Sequence, residues 1–298
     1  MTLTDIAPAK AAAPASKPTF ILVLSCPDRI GIVARVSAFF VEHGCNIIES
    51  AQFGDFENGR FFYRTTFAPA RVETVASLTA AFAPIAREFD MDAHFYDQAA
   101  KVATIIMVSK FGHCLNDLLY RVKFAGLPID VRAIVSNHET FRDLAEGAGI
   151  PFRCMPVNAQ NKEAQEKQLM GMVKTMNVEL IVLARYMQIL SPALCAQMPG
   201  QVMNIHHSFL PSFKGARPYH SAHTRGVKLI GATAHYVTQD LDEGPIIEQA
   251  VERVHHGMSA DDYIAVGRDV EAIALARAVK WHAERRILLN GQRTIVFT

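Results

Sequence analysis

The stretch Gln201-Val202-Met203-Asn204-Ile205-His206-His207-Ser208-Phe209-Leu210-Pro211 decides how the second half of this chain folds. Its apolar run, residues 201–205, ends abruptly in polar residues, and Pro211 prevents a helix from continuing through it. This pattern predicts a strand that ends in a loop. In open α/β sheets, ligands bind at the carboxyl ends of the strands, so this loop is a candidate site.

A second apolar run, residues 229–237, leads into another polar loop that contains Asp242. Asn204 and His206 are two positions apart, so both side chains face the same side of a strand. An Asn amide can donate to an oxyanion, and an imidazole exchanges a proton near neutral pH. We expect Asp242 to join them, orient a water and raise the basicity of the imidazole. This trio suits attack on an acyl carbon.

The same residues have simpler interpretations. An isolated Asn or His in a loop is more often a turn residue or a surface group. The histidines near this stretch also raise the question of a metal site, but the chain has neither H-E-x-x-H nor closed Cys/His spacing, so we expect no metal. A hydrolase built on Ser208 is disfavoured because the G-x-S-x-G turn is absent.

Composition excludes several classes of partner. The 298 residues are half hydrophobic and carry a net charge of +1, which argues against nucleic acid and anionic membranes. The five cysteines are scattered and odd in number, as is typical of a reduced, cytoplasmic protein. No apolar run approaches the roughly 18 residues that a membrane span needs.

The periodicity of the chain predicts an α/β protein with two domains. Residues 1–18 are rich in Ala, Pro and Lys, and we interpret them as a mobile tail. Residues 19–98 have the order βαββαβ, which is a ferredoxin-like sandwich. In residues 99–298, strands alternate with helices, which predicts a mainly parallel, Rossmann-like sheet. The runs 229–237 and 246–254 are joined by a short loop, so we expect them to be antiparallel.

The stretch Ser25–Val36, followed by Gly44–Ile47, resembles the ACT domain family. The resemblance implies a site for a free amino acid, and methionine and glycine are the candidates because both connect to one-carbon metabolism. Asp28, Gly31 and Asn46 are the implied effector-binding residues. Backbone N–H groups at the start of a helix favour a carboxylate. In the simpler interpretation, Gly31 only shapes the turn and Asp28 caps the helix.

Three motifs resemble the formyltetrahydrofolate-dependent formyltransferase family: Leu183–Pro192, Asn204–Pro211 and Asp242–Ile247. The resemblance implies that Asn204 binds the formyl oxygen, that His206 transfers protons, and that Asp242 relays protons through water. The residues that it implies for binding the folate are Gln188, Ile189, Leu190, Thr238, Gln239, Asp240 and Leu241, with His235 beside them.

The stretch Ser109–Leu118 departs from the amine-formylating members of that family. It has one glycine and the bulky Phe111 where those members hold the phosphate of the acceptor. With an ACT-like domain ahead of the core, the chain from about Thr19 to Phe297 resembles the formyltetrahydrofolate deformylases.

That resemblance implies hydrolysis of 10-formyltetrahydrofolate to tetrahydrofolate and formate, supplying formate for one-carbon and purine metabolism, without a cofactor. The alternatives are a formyltransferase with an unidentified amine acceptor and a sensor that binds folate without turnover. Because ACT domains pair through their sheet edges, we expect a homodimer or homotetramer.

Overall fold

The computed structural model describes residues 18–210 and 218–298 of the chain. It divides the chain into two compact units, with the division between Ala99 and Ala100. Of the predicted tail, residues 1–18, all but residue 18 lie outside the described residues. Within the described ranges, no helix is both long enough and apolar enough to cross a membrane.

The first unit is the βαββαβ sandwich that the sequence predicts. Its elements are β1 (Phe20–Pro27), α1 (Ile32–Glu42), β2 (Cys45–Asp55), β3 (Arg60–Pro69), α2 (Val75–Phe89) and β4 (Asp92–Asp97). The strands are antiparallel in the order β2-β3-β1-β4. Alternation in β1 buries Leu22 and Leu24, and helical spacing in α1 places Phe39 and Phe40 in the same core.

The start of α1 differs from the capping interpretation of the sequence. Its N-cap residue is Gly31, in a left-handed conformation with φ 99°, and no side chain caps the helix. Asp28 therefore does not cap α1, and its backbone N–H donates instead to the Gly59 carbonyl at 2.9 Å. The glycine is required because other residues rarely adopt this backbone conformation.

The second unit is a seven-stranded sheet covered by helices, followed by a small hairpin. Its elements are β5 (Val102–Val108), α3 (His113–Phe124), β6 (Ile129–Ser136), α4 (Arg142–Gly147), β7 (Phe152–Cys154), α5 (Lys162–Thr175), β8 (Leu180–Leu183), α6 (Pro192–Gln197), β9 (Val202–His206), α7 (Pro218–Thr224), β10 (Leu229–Tyr236), β11 (Ile246–Arg253), α8 (Ala260–Ala283), β12 (Ile287–Asn290) and β13 (Arg293–Val296). The strand order is β11-β10-β9-β8-β5-β6-β7.

Five strands of this sheet, from β9 to β7, are parallel, and β10 and β11 are antiparallel to their neighbours. The sequence therefore predicts both the parallel core and the antiparallel last pair correctly. All residues of β5 are buried, as expected for a central parallel strand with both faces covered. The chain passes from β5 to β6 on one side of it and later to β8 on its other side, so the strand order reverses at β5. Ligands bind at such a reversal.

We predict that Gly231→Ala destabilises the second unit. A Cβ there would lie 2.6 Å from the Ala250 carbonyl oxygen of β11 and 3.1 Å from Val251. Overpacking of this kind lowers the free energy of unfolding by about 1–3 kcal/mol. Urea unfolding, followed by fluorescence of Trp281, the only tryptophan, measures this unit.

Gly171→Ala is the matched control, because this glycine lies inside α5 with open space around its Cβ position. It should raise the free energy of unfolding by about 0.5–1 kcal/mol through helix propensity. Equal effects of the two substitutions would contradict the packing argument.

Candidate active site

His206 is the last residue of β9 and is 7% exposed. Its Nδ1 lies 3.2 Å from Oδ2 of Asp242, and its Nε2 is buried without a hydrogen-bond partner. Because a carboxylate only accepts hydrogen bonds, Nδ1 donates to Asp242. Nε2 of the neutral ring then carries a free lone pair, which is the form that a general base needs.

Asp242 reaches His206 by a route that the sequence does not predict. β10 is antiparallel to β9, and His235 pairs with Asn204, so the carboxyl end of β10 lies away from that of β9. The loop after β10 folds back and places Asp242 against His206 in a left-handed conformation with φ 57°. The predicted trio does come together, but not through two neighbouring carboxyl ends.

The loop that carries Asp242 is closed at its base. Tyr236 donates its backbone N–H to the Pro245 carbonyl at 2.9 Å. Gly244 packs so tightly on the Tyr236 carbonyl that no side chain would fit there. Backbone contacts at both ends therefore limit the positions that the Asp242 carboxylate can take.

The two histidines around Asp242 keep it ionised. The hydrogen bond from His206, followed by the contribution of the nearby His235, holds the pKa of Asp242 well below its usual range, against the opposing effect of burial. Nε2 of His235 lies 3.7 Å from Oδ1 of Asp242. A carboxylate fixed in this way stabilises an imidazolium that forms at His206.

Asn204 is held by its neighbour across the strand pair. Its Nδ2 lies 3.3 Å from Nε2 of His235, whose Nδ1 lies 2.9 Å from the Tyr236 carbonyl. Because a carbonyl oxygen only accepts hydrogen bonds, Nδ1 of His235 donates to the Tyr236 carbonyl. Nε2 of His235 then carries the lone pair and accepts from the Asn204 amide. The second N–H of the Asn204 amide is left for a substrate oxygen.

These groups line a cleft of about 500 Å³. The exposed apolar side chains of Met187, Ile189 and Leu241 also line it, which suits a flat aromatic ring. The backbone N–H of Met187 donates to the Ser109 hydroxyl at 3.0 Å, which anchors one wall. The cleft contains every residue predicted to bind the folate: Gln188, Ile189, Leu190, His235, Thr238, Gln239, Asp240 and Leu241.

Comparisons with known proteins agree with this geometry. Residues 101–279 match the formyl transferase family and residues 20–82 match the ACT domain family. Formyltetrahydrofolate deformylases of Corynebacterium sp. (strain P-1) and Bacillus subtilis (strain 168) are 47% and 49% identical, each over 93% of this chain and over 97% and 93% of the relative. The chain belongs to the formyltetrahydrofolate deformylase family.

A solved structure supports the same assignment. The crystal structure of the formyltetrahydrofolate deformylase of Burkholderia mallei has a TM-score of 0.91 and 52% identity. The match covers 94% of this chain and 100% of that one. The family resemblance that the sequence motifs suggest is therefore confirmed along nearly the whole length.

One buried carboxylate in this deformylase-family fold is not predicted from the sequence. Glu271 of α8 is 1% exposed, and its Oε2 accepts from His113 Nε2 at 2.8 Å and lies 3.3 Å from Arg185 Nε. Its Oε1 accepts from the Tyr219 hydroxyl at 2.6 Å. Burial raises the pKa of Glu271, but His113 and Arg185 outweigh it, so the pKa lies below its usual range. A Glu within a long helix gives no signal of burial in a sequence.

Glu271 also belongs to the group of potential metal ligands that the described residues bring together, with His113 and Cys114. Their ligand atoms lie within 4.8 Å of one another. Both oxygens of Glu271 are already hydrogen-bonded, and a guanidinium lies beside them. Burial also raises the pKa of the Cys114 thiol well above its usual value. This donor set does not fit a metal ion.

The structure separates the residues predicted to bind an effector. Asp28 lies next to Gly54 near the end of β2, where a Cβ on Gly54 would be 3.3 Å from the carboxylate. Asn46 pairs with Ala68 at the opposite end of β2. Asp28 and Gly31 therefore lie in one loop, whereas Asn46 of the same chain does not join them.

His207, the residue after the proposed base, has a lowered pKa. Burial, together with the neighbouring charges of Arg185 and His206, lowers its pKa to about 4. Its ring contacts those of His206 and Tyr219 at centroid distances of 5.1 and 6.4 Å. His207 is therefore neutral near neutral pH, and we interpret it as a supporting residue.

We predict that His207→Gln makes stability less dependent on pH. Below the unfolded-state pKa of 6.5, the unfolded chain binds a proton at His207 that the folded chain binds only near pH 4. The free energy of unfolding therefore falls as the pH falls through this window, by at most about 1.4 kcal/mol per pH unit. Urea unfolding is measured at a series of pH values between 4 and 6.5. The free energy of unfolding should change less steeply with pH for His207→Gln than for the unmodified chain.

His256→Gln is the matched control, because it also removes one imidazole but His256 is exposed. If His207→Gln keeps the slope of the unmodified chain, the neutral state of His207 is contradicted.

Proposed function

We propose that this chain hydrolyses 10-formyltetrahydrofolate to tetrahydrofolate and formate. Curated deformylases with nearly half of their residues identical support this reaction. The observation that carries it is the state of His206. Its Nδ1 is bonded to Asp242 while its Nε2 is buried and unpartnered in a cleft lined by the predicted folate-binding residues.

The first step uses His206 as the base. Nε2 takes a proton from a water molecule, and the water oxygen attacks the formyl carbon. The positive charge that forms on His206 is stabilised by Asp242, which remains ionised because His206 donates to it and His235 lies beside it. General base catalysis of this kind contributes roughly 10²–10⁴ to the rate.

The second step breaks the bond between the formyl carbon and N10. The Asn204 amide donates to the negatively charged oxygen of the tetrahedral intermediate, and protonated His206 supports it. His206 then returns its proton to N10, which leaves with the electron pair of the broken bond. The products are formate and tetrahydrofolate, and neutral His206 is restored.

The pterin ring is held by the two loops that border the cleft. Main-chain groups of residues 188–190 and 238–241 supply polar contacts, and Ile189 and Leu241 supply apolar ones. We assign no cofactor to this reaction, because water is the second substrate and the protein groups carry the protons.

Substitution of the catalytic trio tests the assignment. We expect Asn204→Ala to lower kcat for formate release by roughly 10²–10³ through loss of the oxyanion donor. We expect His206→Ala to lower it by roughly 10²–10⁴ through loss of the base. Asp242→Asn should also lower kcat, because an amide cannot stabilise the imidazolium. Formate is measured during incubation with 10-formyltetrahydrofolate.

His256→Gln, at an exposed histidine outside the cleft, should release formate at the unmodified rate. Formate release that survives in all three site variants would exclude the proposed mechanism. Product that forms only after an amine is added would indicate a formyltransferase, and binding without turnover would indicate a sensor.

We also propose that a free amino acid, methionine or glycine, binds the loop that contains Asp28 and Gly31. The ACT domain match supports regulation by such a ligand. In this proposal Asn46 joins the site from a second copy in a homodimer or homotetramer. β2 is an edge strand with exposed Ile48 and Phe53, and unpaired edges of this kind favour pairing between copies.

We predict that methionine or glycine changes the rate of formate release or the Tm, since a ligand that binds only the folded state raises stability. Gly31→Val should abolish the change, because a β-branched residue disfavours φ 99°. Light scattering should report a dimer or tetramer. The proposal fails if no proteinogenic amino acid changes either quantity.

A further inference from the structure

The Glu271 cluster, which consists of Glu271, His113, Arg185 and Tyr219, lies beside His207, and the proposed hydrolysis does not use it. One of its members, Arg185, lines the cleft together with Asn204 and His206. Arg185 follows β8 and has φ 65°, a conformation that is uncommon for a residue other than glycine. Strained backbone of this kind persists where surrounding contacts hold it.

Two contacts and burial hold the Arg185 guanidinium in place. Its Nε lies 3.3 Å from Oε2 of Glu271, and its Cζ lies 5.8 Å from the centre of the Phe111 ring. The side chain is only 10% exposed. Its charge reaches His207, the residue after the proposed base, because it contributes to the lowered pKa of His207. The cleft that Asn204 and His206 line therefore also contains a guanidinium that is held in place by its ion pair with Glu271.

An amine acceptor, which is a cation when protonated, needs a negative charge in this part of the cleft. Primary amines are mostly protonated near neutral pH, so a site that uses them must bind a cation and remove its extra proton. Both oxygens of Glu271 are occupied by His113 and Tyr219. Asp242 is occupied by His206 and His235, and Asp240 is exposed on its loop.

We infer that Arg185, held by Glu271, is a specificity-determining residue that excludes cationic amines from the acceptor position and leaves water as the acceptor. This inference rests on the proposed hydrolysis. Like charges a few ångströms apart at a partly buried site repel strongly enough to weaken binding by about tenfold or more. Water carries no charge and is unaffected.

The competing reaction is formyl transfer to an amine. The amine nitrogen would attack the formyl carbon in place of water, the bond to N10 would break, and N10 would take the proton that the amine loses. The products would be a formamide and tetrahydrofolate. The ratio of formamide to formate therefore measures which acceptor the site admits, and a general loss of activity does not change it.

The test uses the full chain with 10-formyltetrahydrofolate and glycinamide, a small amine that is largely protonated near neutral pH. The unmodified chain should produce formate almost alone. Arg185→Met, which keeps the length of the side chain but removes its charge, should raise the ratio of formylglycinamide to formate by about tenfold or more. Arg185→Lys keeps the charge and should keep the low ratio.

Two controls isolate the charge of Arg185. Arg268 lies 5.7 Å from the same Phe111 ring but is exposed and does not line the cleft, so Arg268→Met should leave the ratio unchanged. Hydroxylamine is largely uncharged at neutral pH. Its ratio of formylated product to formate should be the same in the unmodified chain and in Arg185→Met.

The inference is overturned if Arg185→Met releases formate with the unmodified ratio, or if the unmodified chain formylates glycinamide as readily as it releases formate. If Arg185→Met no longer turns over, binding of glycinamide in the presence of tetrahydrofolate is measured by calorimetry, and binding no tighter than in the unmodified chain overturns it. The proposed hydrolysis fails separately, when the unmodified chain releases no formate without an amine.

Discussion

The hydrogen bond between Nδ1 of His206 and Oδ2 of Asp242 is the interaction on which the rest of the site depends. It fixes the tautomer of the imidazole, so that Nε2, the nitrogen without a hydrogen-bond partner, is the one that can accept a proton. It also ties the end of β9 to a loop that leaves the sheet and returns. The strand pairing of β9 with β10 also places His235 beside Asn204, with its Nε2 3.7 Å from the same carboxylate.

Burial makes charge compensation necessary throughout this region. An ionised group that loses its water must be paired, or it becomes neutral. Asp242 and Glu271 remain ionised because histidines and an arginine surround them. His207 becomes neutral because nearby positive charge adds to the effect of burial. The same constraint thus produces a base, a supporting neutral histidine and a fixed cation within one cleft.

Much of the fold follows from local pattern. The apolar runs of β1 and β5 and the helical spacing in α1 indicate directly which residues are buried. The pairing of the last two strands of the large sheet follows from the short loop between them. The interpretation of Asp28 as a helix cap is wrong because the backbone at Gly31 takes a left-handed conformation, which a sequence pattern does not report.

The sequence by itself determined the βαββαβ order of the first unit, the mainly parallel sheet of the second and the family, and it predicted the trio Asn204, His206 and Asp242, because periodicity and short motifs are local properties. Only the tertiary structure decided how Asp242 reaches His206, since an antiparallel partner strand and a returning loop depend on long-range pairing. It also decided that Asn46 lies at the far end of its sheet from Asp28. Glu271 acquires its partners in the same way, because burial within a helix is set by what packs against it.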